Sequence, residues 1–249
     1  MKSFKGRVVV VTGAAQGIGY AIAEKFIQEK TSKLAILDWN EEAIKTAGEK
    51  LQALSADTEI LALRCDISNE EMVNAVFAEI VEKLGIVDVL VNNAGITRDI
   101  MFHKMTSKQW DDVLKVNLYG TFNCCKAVMQ GMRDQCYGRI VNLSSVVAYG
   151  NAGQANYAAT KGAIISLTKT LAKEGGRKGI TVNAIAPHCI DTPMMANVPP
   201  DFKQNLINNH VMQRMGKPEE VAALVAFLAN EEASYVSGTC IDCTGGDIT

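Results

Sequence analysis

Seven short runs rich in β-branched and apolar residues recur along the chain, and longer stretches with helical periodicity separate them. The runs lie at 7–12, 33–38, 59–65, 87–92, 138–144, 180–186 and 238–243. Nearly continuous apolar strands that alternate with helices are typical of a parallel sheet covered on both faces. We therefore expect an α/β fold over residues 1–249: a single doubly wound Rossmann-type domain with a seven-stranded parallel sheet and helices on both faces.

Charge and hydropathy argue against two broad classes of partner. Of the 249 residues, 48% are hydrophobic and 21% are charged, and the formal net charge is −2. A nucleic-acid binder would normally carry a basic surplus, so we expect no nucleic-acid partner. The valine run at 8–11 is soon broken by Gly13 and is too short for a signal peptide or a membrane span. We expect no membrane partner and a cytoplasmic location.

Seven cysteines are scattered along the chain, and an odd, scattered set is a poor disulfide framework. We expect them to be reduced thiols, as in the cytoplasm. Cys124 and Cys125 fall in an apolar helical stretch, where small side chains fill a core. Cys240 and Cys243 have the spacing of a metal-binding pair, but no second pair or histidine cluster accompanies them. We therefore expect no metal site.

The least regular segment lies at 188–217 and contains the pair Pro199-Pro200, which is expected to break any long helix. A loop of this length in a compact domain is usually either mobile or functional. Because the segment follows the sixth predicted strand, it would overhang the crevice at the carboxyl ends of the strands, where such sheets bind ligands. We expect it to act as a substrate lid.

A glycine-rich turn joins the first predicted strand to the first predicted helix, in the sequence VVVVTGAAQGIGYAIAEKF. Gly13, Gly17 and Gly19 leave room for the backbone to approach a phosphate, and the following helix offers unpaired N–H groups to a pyrophosphate. The spacing is G-x-x-x-G-x-G rather than the usual G-x-G-x-x-G of dinucleotide folds. Strand, turn and helix together indicate a dinucleotide site.

An acidic residue, Asp38, closes the second predicted strand. A carboxylate at this position can accept hydrogen bonds from both hydroxyls of an adenosine ribose, and it would repel a 2′-phosphate. The glycine turn offers no compensating cation, because Gln16 occupies its middle, and Trp39 follows the aspartate. We therefore predict NAD(H) as the cofactor in preference to NADP(H).

These and further motifs give the chain a resemblance to the classical short-chain dehydrogenase/reductase family over essentially its whole length. The motifs are TGAAQGIG (12–19), NNAG (92–95), Asn117 within KVNLYG, NLSS (142–145), YAATK (157–161) and AP (186–187). Within that family the chain is most similar to the 3-oxoacyl-[acyl-carrier-protein] reductases, through NNAGITRD and SSVVAYGNAGQANYAATKG. Acetoacetyl-CoA reductases and hydroxysteroid dehydrogenases share much of these two stretches.

The resemblance implies a set of catalytic residues and a set of cofactor-binding residues. The catalytic set is Asn117, Ser145, Tyr157 and Lys161. The cofactor set is Gly13, Gln16, Gly17, Ile18, Gly19, Asp38, Asp66, Ile67, Asn93, Ala94, Gly95, Tyr157, Lys161, Pro187, Ile190 and Thr192. Of these, Asp66 would lie beside the adenine and Asn93 near the nicotinamide ribose.

Tyr157 and Lys161 are four residues apart, so one turn of a helix would place them on the same side. Reduction of a ketone needs a proton delivered to the developing alkoxide, and a free phenol has a pKa near 10. An ammonium at ~4 Å would lower that pKa by about three units at an effective dielectric near 20. We therefore expect Lys161 to lower the pKa of Tyr157 to roughly 7, and also to hydrogen-bond the nicotinamide ribose.

The other two members of the catalytic set would act on the substrate oxygen and on proton exchange. A serine would hold the substrate oxygen beside Tyr157, and Asn117 would connect Lys161 to solvent through a bound water. The family position for the serine is the second one of NLSS, Ser145. Ser145 precedes Tyr157 by twelve residues, however, and the thirteen that close relatives usually have would select Ser144. We prefer Ser145.

Two departures from the family pattern bear on the substrate. His188 follows Pro187 where relatives generally have glycine, and it could line the nicotinamide pocket, contact substrate or turn to solvent. Carrier-protein reductases are expected to dock an acidic partner on basic residues near the site entrance, but Cys136 stands where the family often has a basic side chain. The candidate docking residues are Arg133, Arg139, Arg177 and Lys178.

We expect an NAD(H)-dependent oxidoreductase that transfers hydride between the nicotinamide and a ketone or secondary alcohol, including thioester-linked substrates, as in a 3-oxoacyl reductase. One open alternative is a hydroxysteroid-type or other secondary alcohol dehydrogenase. Another, of a different class, is a catalytically silent NAD-binding sensor. The resemblance also implies a homotetramer, built through two long helices at 108–135 and 156–176.

Overall fold

Seven strands form one sheet in the computed structural model, which describes residues 3–193, 195 and 200–246. The strands are β1 (Val8–Thr12), β2 (Lys33–Asp38), β3 (Glu59–Arg64), β4 (Val89–Asn92), β5 (Gly138–Leu143), β6 (Ile180–Pro187) and β7 (Cys240–Cys243). Their order is β3-β2-β1-β4-β5-β6-β7, and all neighbouring pairs are parallel. The predicted seven-stranded parallel sheet is confirmed, with each strand within two residues of its expected ends.

Within the described residues, eight α-helices connect and cover these strands. They are α1 (Gly17–Gln28), α2 (Glu41–Gln52), α3 (Glu70–Leu84), α4 (Ser107–Val113), α5 (Gly120–Asp134), α6 (Ala155–Gly175), α7 (Pro200–Asn209) and α8 (Pro218–Ala229). Helices α1, α2 and α8 pack on one face of the sheet, and α3, α5 and α6 pack on the other. Along β1, Val9 and Val11 point to the first face while Val8 and Val10 point to the second. No helix among the described residues is both long and apolar enough to cross a membrane.

The strand order reverses at β1, and this reversal determines where a ligand can bind. Strand β1 pairs with β2 on one side and with β4 on the other, so the connections on its two sides run in opposite directions. In open α/β sheets the loops then separate at the carboxyl ends of the strands and leave a crevice. The glycine-rich turn after β1 lies at this crevice.

The first of the two predicted long helices is not regular throughout. A π-helical segment, Leu114–Tyr119, lies between α4 and α5 where a continuous helix over 108–135 was expected. The hydroxyl of Thr121 donates to the carbonyl of Asn117 at 2.7 Å, and Asn117 itself is fully buried. The wider turn carries a polar side chain into the interior, as π-bulges at functional sites often do. Helix α6 matches the second expected helix closely.

The described residues of the segment 188–217, which are 188–193, 195 and 200–217, include a helix that was not predicted. Helix α7 begins at Pro200, because proline has no N–H to lose at the first position of a helix and its φ is already helical. Helix α7 thus starts at the second residue of the proline pair that was predicted to break a long helix. The first residue of the pair, Pro199, lies outside the described residues. Both ends of the segment meet, since Ile190 and Gly216 form a parallel bridge.

The edge of the sheet opposite the glycine turn is held by stacked charged and aromatic side chains. The guanidinium of Arg7 lies 3.8 Å from the ring centre of Tyr137, and that of Arg139 lies 4.4 Å from the same ring. Arg7 also forms ion pairs with Asp88 at 3.1 Å and Glu231 at 2.6 Å. The charged and aromatic side chains at this edge are therefore bound to one another.

Candidate functional site

A cavity of about 760 Å³ opens at the carboxyl edge of the sheet, above the reversal in strand order. It runs from the glycine turn past the ends of β2 and β3 to the start of α6. Sixteen of the predicted site residues line it: Gly13, Gln16, Gly17, Ile18, Asp38, Asp66, Ile67, Asn93, Ala94, Gly95, Ser145, Tyr157, Lys161, Pro187, Ile190 and Thr192. The structure thus brings together residues that are scattered over most of the sequence.

The glycine turn has the geometry that a pyrophosphate site requires. Gly13 and Gly17 have positive φ values of 63° and 59°, which favour glycine. At Gly19, a Cβ atom would lie 2.1 Å from the carbonyl oxygen of Gly13, so only glycine lets α1 pack here. No side chain caps the first turn of α1, and its backbone N–H groups remain available to an anion. These residues fit a dinucleotide.

Asn93 supports the turn from the neighbouring strand. Its side-chain amide donates to the carbonyl oxygens of Thr12 at 3.0 Å and Gly13 at 2.9 Å. The hydroxyl of Thr12 accepts in return from the backbone N–H groups of Asn93 and Ala94, both at 3.1 Å. The turn and the end of β4 are thereby held as one unit.

Asp38 lies at the end of β2 with its carboxylate next to the glycine turn. One oxygen accepts from the N–H of Ala15 at 3.3 Å and the other from the N–H of Asn40 at 3.1 Å. A cation that the sequence pattern did not reveal lies nearby. Arg64 on β3 is the register partner of Asp38 on β2, and its Nε donates to the carbonyl of Trp39 at 3.4 Å. Only the sheet register shows this neighbour.

The beginning of the 188–217 segment lies directly over the glycine turn. A Cβ atom at Gly17 would be 3.6 Å from the side chain of Thr192 and 3.7 Å from that of Pro193. On the other side of the cavity, Asp66 accepts from the hydroxyl of Ser68 at 2.7 Å and from its N–H at 3.0 Å. Both predicted flanks of the cofactor site are therefore present.

The two adjacent serines of NLSS have different partners. The Ser145 side chain lines the cavity with Tyr157 and counteracts the rise in the pKa of that phenol, and its hydroxyl accepts from the N–H of Val147 at 3.2 Å. The hydroxyl of Ser144 instead donates to the carbonyl of Lys161 at 2.9 Å. Of the two, Ser145 is the one whose side chain acts on the phenol.

Lys161 is almost completely buried and points back toward β5. Its Nζ donates to the carbonyl oxygen of Leu143 at 2.6 Å and lies 5.4 Å from the ring centre of Tyr157. Burial lowers the pKa of Lys161 to about 8, because the charged form loses its hydration. The lysine is therefore charged at neutral pH but closer to neutrality than an exposed lysine.

The pKa of Tyr157 moves in the direction opposite to the one expected from its spacing to Lys161. Burial raises it to about 12, the hydrogen bond from Ser145 opposes that rise, and the negative charge of Asp99 adds to it. The expected fall to roughly 7 assumed a lysine at ~4 Å and no loss of hydration. In this structure the phenol is a proton donor at neutral pH.

The side chain of Asn117 binds the backbone of the loop after β4. Its side chain accepts from the N–H of Ile96 at 2.8 Å and donates to the carbonyl of Ile96 at 3.0 Å. A Cβ atom at Gly95 would be 3.2 Å from the Asn117 Oδ1 atom and 3.8 Å from Lys161 Nζ. Asn117 lies behind the cavity wall, and Gly19 likewise packs behind the glycine turn.

Three residues at or next to the site were not found from the sequence, namely Arg98, Asp99 and His210, whereas His188 had been named as a possible lining residue. Asp99 reaches the start of α6, where its carboxylate accepts from Gln154 at 2.8 Å, and Arg98 lines the cavity. His188 lines the cavity as well, and its Nδ1 lies 2.8 Å from Nε2 of His210. The loop after β4 offered a signal through its place in NNAGITRD, whereas nothing near His210 in the sequence links it to His188.

The basic residues considered for a carrier-protein dock do not surround this cavity within their own chain. Arg139 lies at the start of β5 and Ser145 just beyond its end, which separates them by about 20 Å at 3.3 Å per residue. Arg133 in the last turn of α5 lies at the same far edge, as do Arg177 and Lys178 just before β6. The expectation that they line the entrance is wrong for a single chain.

The cysteines form no centre of their own in the described part of the chain. All seven are free thiols, and no cluster of three or more histidine, cysteine or acidic side chains has a metal-binding arrangement there. Cys124 and Cys125 are buried in the core against α3 and the sheet, and burial raises the pKa of both thiols. They remain protonated at neutral pH.

The arrangement can hold a carbonyl oxygen and protonate it. An oxygen placed between the hydroxyl of Ser145 and the phenol of Tyr157 would receive two hydrogen bonds. The buried ammonium of Lys161, 5.4 Å from the ring centre, would stabilise negative charge that develops on the phenol. This is acid–base chemistry next to a nucleotide cleft.

Comparison with known sequences places the chain among reductases. The profile of the family described as Enoyl-(Acyl carrier protein) reductase matches residues 13–247. The chain is 42% identical over 243 residues to 3-oxoacyl-[acyl-carrier-protein] reductase FabG of Thermotoga maritima, covering 97% of this chain and 98% of that protein. It is 43% identical over 242 residues to acetoacetyl-CoA reductase of Shinella zoogloeoides, covering 96% and 98%.

Solved structures agree with this placement. The crystal structure of levodione reductase matches with a TM-score of 0.94 and 34% identity, over 99% of this chain and 98% of that one. The structure of 3-oxoacyl-[acyl-carrier protein] reductase from Brucella melitensis matches with a TM-score of 0.91 and 38% identity, over 98% and 92%. The structural similarity covers nearly the whole chain.

Proposed function

The chain belongs to the short-chain dehydrogenase/reductase family of oxidoreductases, and on that premise we propose that it reduces the ketone of a 3-oxoacyl thioester with NADH. The family and the reaction on a ketone or its alcohol follow from the relatives, which are full-length matches. The thioester, the cofactor preference and the roles of individual residues are the proposal. The names of the two curated relatives favour a thioester over a hydroxysteroid.

One observation carries the proposed chemistry: Ser145 and Tyr157 line the same cavity, and Nζ of the buried Lys161 lies 5.4 Å from the ring centre of Tyr157. A bound nicotinamide supplies the hydride. Tyr157 gives its proton to the ketone oxygen, which Ser145 holds in place by a hydrogen bond. The raised pKa keeps that proton on the phenol at neutral pH. Lys161, whose Nζ lies 5.4 Å from the ring centre, would then stabilise the phenolate that remains.

The proposed catalytic set includes Asn117 in a different role from the one expected. By holding both backbone groups of Ile96, it positions the loop that forms the wall beside Lys161. The water link between Lys161 and solvent stays a prediction. The cofactor set remains as predicted, with the glycine turn binding the pyrophosphate and Asp38 binding the adenosine ribose.

The preference for NADH is supported by the position of the Asp38 carboxylate. It lines the cavity beside the glycine turn, where the adenosine ribose would lie next to the pyrophosphate, and its negative charge opposes a 2′-phosphate. The neighbouring cation, Arg64, donates its Nε–H to the Trp39 carbonyl. Because Asp38 lines the cavity and Arg64 is not among the lining residues, we assign the preference for NADH to the aspartate.

The lid, the oligomer and the location complete the proposal. The segment 188–217 would close over bound substrate, since its first residues already contact the glycine turn. A homotetramer through α5 and α6 is supported by exposed aromatic side chains next to and within α5, Tyr119 at 57% and Phe122 at 44% exposure. Seven free thiols fit the reducing cytoplasm.

The test is a spectrophotometric assay at 340 nm with the purified protein. NADH and NADPH are each offered with acetoacetyl-CoA, and NAD is offered with a panel of steroid and simple secondary alcohols. Turnover of the thioester with NADH is the expected result. Steroid oxidation with inert thioesters would refute the proposed substrate, and faster turnover with NADPH would refute the proposed cofactor.

A further inference from the structure

Both backbone polar groups of Tyr157 are bound by side chains of its own helix. Its N–H donates to Oδ1 of Asn156 at 2.8 Å, and its carbonyl accepts from the hydroxyl of Thr160 at 2.8 Å. Asn156 and Thr160 are both fully buried. Tyr157 lies in the first turn of α6, where an N–H has no partner within the helix, and Gln154 at the cap position forms no side-chain cap. Asn156 therefore supplies the bond that the cap residue does not.

The same asparagine joins α6 to two other parts of the chain. Nδ2 of Asn156 donates to the carbonyl of Arg98 at 3.2 Å, in the loop after β4, and to the carbonyl of Gln109 at 3.1 Å, in α4. A side-chain amide has two N–H hydrogens and one carbonyl oxygen, and here all three parts bind backbone groups. An aspartate of the same shape would lose both donors, so the position requires an amide.

A second link runs from the loop after β4 to the other side of Tyr157. Asn117, which binds both backbone groups of Ile96, also donates from Nδ2 to the hydroxyl of Thr160 at 3.3 Å. The loop is thus joined to α6 through Asn156 just before Tyr157 and through Thr160 just after it. The two links hold the backbone of Tyr157 in a fixed position relative to this wall of the cavity.

The position of that backbone matters because proton transfer depends steeply on distance. A proton donor has to lie within about 2.6–3.2 Å of the atom that receives the proton. A misplacement of ~1 Å can lower a rate by about 10²-fold. The ring of Tyr157 lines the cavity, so the backbone that carries it has to fix the position of the phenol.

We propose that Asn156, together with Thr160, is a positioning residue for the proton transfer, because it holds the backbone of Tyr157 where the phenol reaches the ketone oxygen. This rests on the proposed function, in which Tyr157 gives that proton. Neither Asn156 nor Thr160 is among the residues that line the cavity, so both act through Tyr157. When this hold is lost, the cofactor site is unchanged and proton transfer becomes the slower step.

The experiment measures isotope effects on the reduction of acetoacetyl-CoA by NADH. In Asn156→Ala, kcat/KM should fall by about 10–100-fold while the Kd for NADH, followed by fluorescence, stays the same. The ratio of kcat/KM in H₂O to that in D₂O should increase, because proton transfer then limits the rate. The isotope effect of NADH deuterated at the transferred position should decrease. Thr160→Val, which keeps the side-chain shape, should change both isotope effects in the same directions by less.

Asn183→Ala is the matched control for the loss of a buried amide. Asn183 on β6 is fully buried as well, and its side chain donates to the carbonyl of Val236 at 2.8 Å and accepts from the N–H of Thr239 at 3.4 Å. It does not line the cavity, so Asn183→Ala should lower the unfolding temperature but leave the solvent isotope effect unchanged.

The outcomes separate this inference from the proposed function. An unchanged solvent isotope effect in Asn156→Ala, or an equal increase in Asn183→Ala, would overturn the inference while leaving acetoacetyl-CoA turnover as evidence for the proposed function. If Asn156→Ala does not fold, the solvent isotope effect of Thr160→Val decides in the same way. Absence of acetoacetyl-CoA turnover in the unmodified protein would overturn both.

Discussion

The side chain of Ser145 acts to lower the pKa of the Tyr157 phenol, whereas the hydroxyl of its neighbour Ser144 donates to the Lys161 carbonyl. Both residues line the cavity, but only the Ser144 hydroxyl is bound to the backbone of α6. The sequence spacing left the choice between them open, and this geometry supports assigning the substrate contact to Ser145.

Exchanging each serine for alanine should separate these two purposes. Ser145→Ala removes a donor to the developing alkoxide, so kcat should fall by about 10²–10³ with a small change in unfolding temperature. Ser144→Ala removes one buried hydrogen bond, so stability should fall by about 1 kcal/mol while kcat changes less. Steady-state kinetics and thermal unfolding of both variants check this. A larger kcat loss in Ser144→Ala would reverse the assignment.

Tyr157→Phe should abolish turnover without unfolding the protein. The change removes the proton donor but keeps the ring, so kcat should fall by at least about 10²–10⁴ while NADH binding, followed by fluorescence, persists. Tyr149→Phe is the matched control, since Tyr149 is 56% exposed and follows the same strand end. If Tyr157→Phe turned over at near-normal rates, the proton would have to come from another group.

Burial of Lys161 predicts a specific dependence of stability on pH. Its pKa is about 8 in the folded protein against 10.5 for an ordinary lysine, so between these values the unfolded chain binds more protons and the folded state gains stability as pH rises. Below pH 8 the buried charge costs up to about 3 kcal/mol. The buried thiols act the other way at higher pH, because burial raises their pKa values.

A lysine-to-methionine exchange isolates this effect. As pH rises from 8 to 10.5, the unfolding free energy of the unmodified protein should increase relative to that of Lys161→Met. The reason is that residue 161 titrates in the unmodified protein, whereas the methionine has no titratable group. Urea unfolding at matched pH and protein concentration measures the difference. A difference that stays constant with pH would mean that the folded pKa is not lowered.

Asp38→Asn should relax the preference for NADH. Removing the negative charge next to the ribose should raise kcat/KM for NADPH at least about tenfold, with a smaller loss for NADH. Arg64→Ala tests the neighbouring cation in parallel. If Arg64→Ala lowered NADPH use more than Asp38→Asn raised it, the arginine would control the preference.

The strands and helices could be predicted from the sequence because they depend on local patterns. The valines of β1 alternate between the two hydrophobic cores on either face of the sheet. The glycine turn could be predicted from the spacing of its glycines. The environment of Tyr157 could not be predicted in the same way. The spacing between Tyr157 and Lys161 predicts that both lie on the same side of α6. It does not predict that the phenol loses its hydration, or that Asp99 from the loop after β4 acts on its pKa.

Contacts between distant segments were the other part beyond reach. Arg64 approaches Asp38 only through strand register, and His210 meets His188 only because α7 folds back over β6. The helix over 108–135 was expected to be regular, because a π turn leaves no clear trace in apolar periodicity. In each case the deciding interaction joins residues that no short sequence window contains.

The central place of β1 also orders events during synthesis. Once residue 92 has left the ribosome, β1 to β4 are all available and the glycine turn already has Asn93 close behind it. Strands β5, β6 and β7 follow outward in chain order, and with them come Ser145 and Tyr157. A nascent chain thus contains the whole glycine turn and its Asn93 support before the proposed acid–base residues have been made.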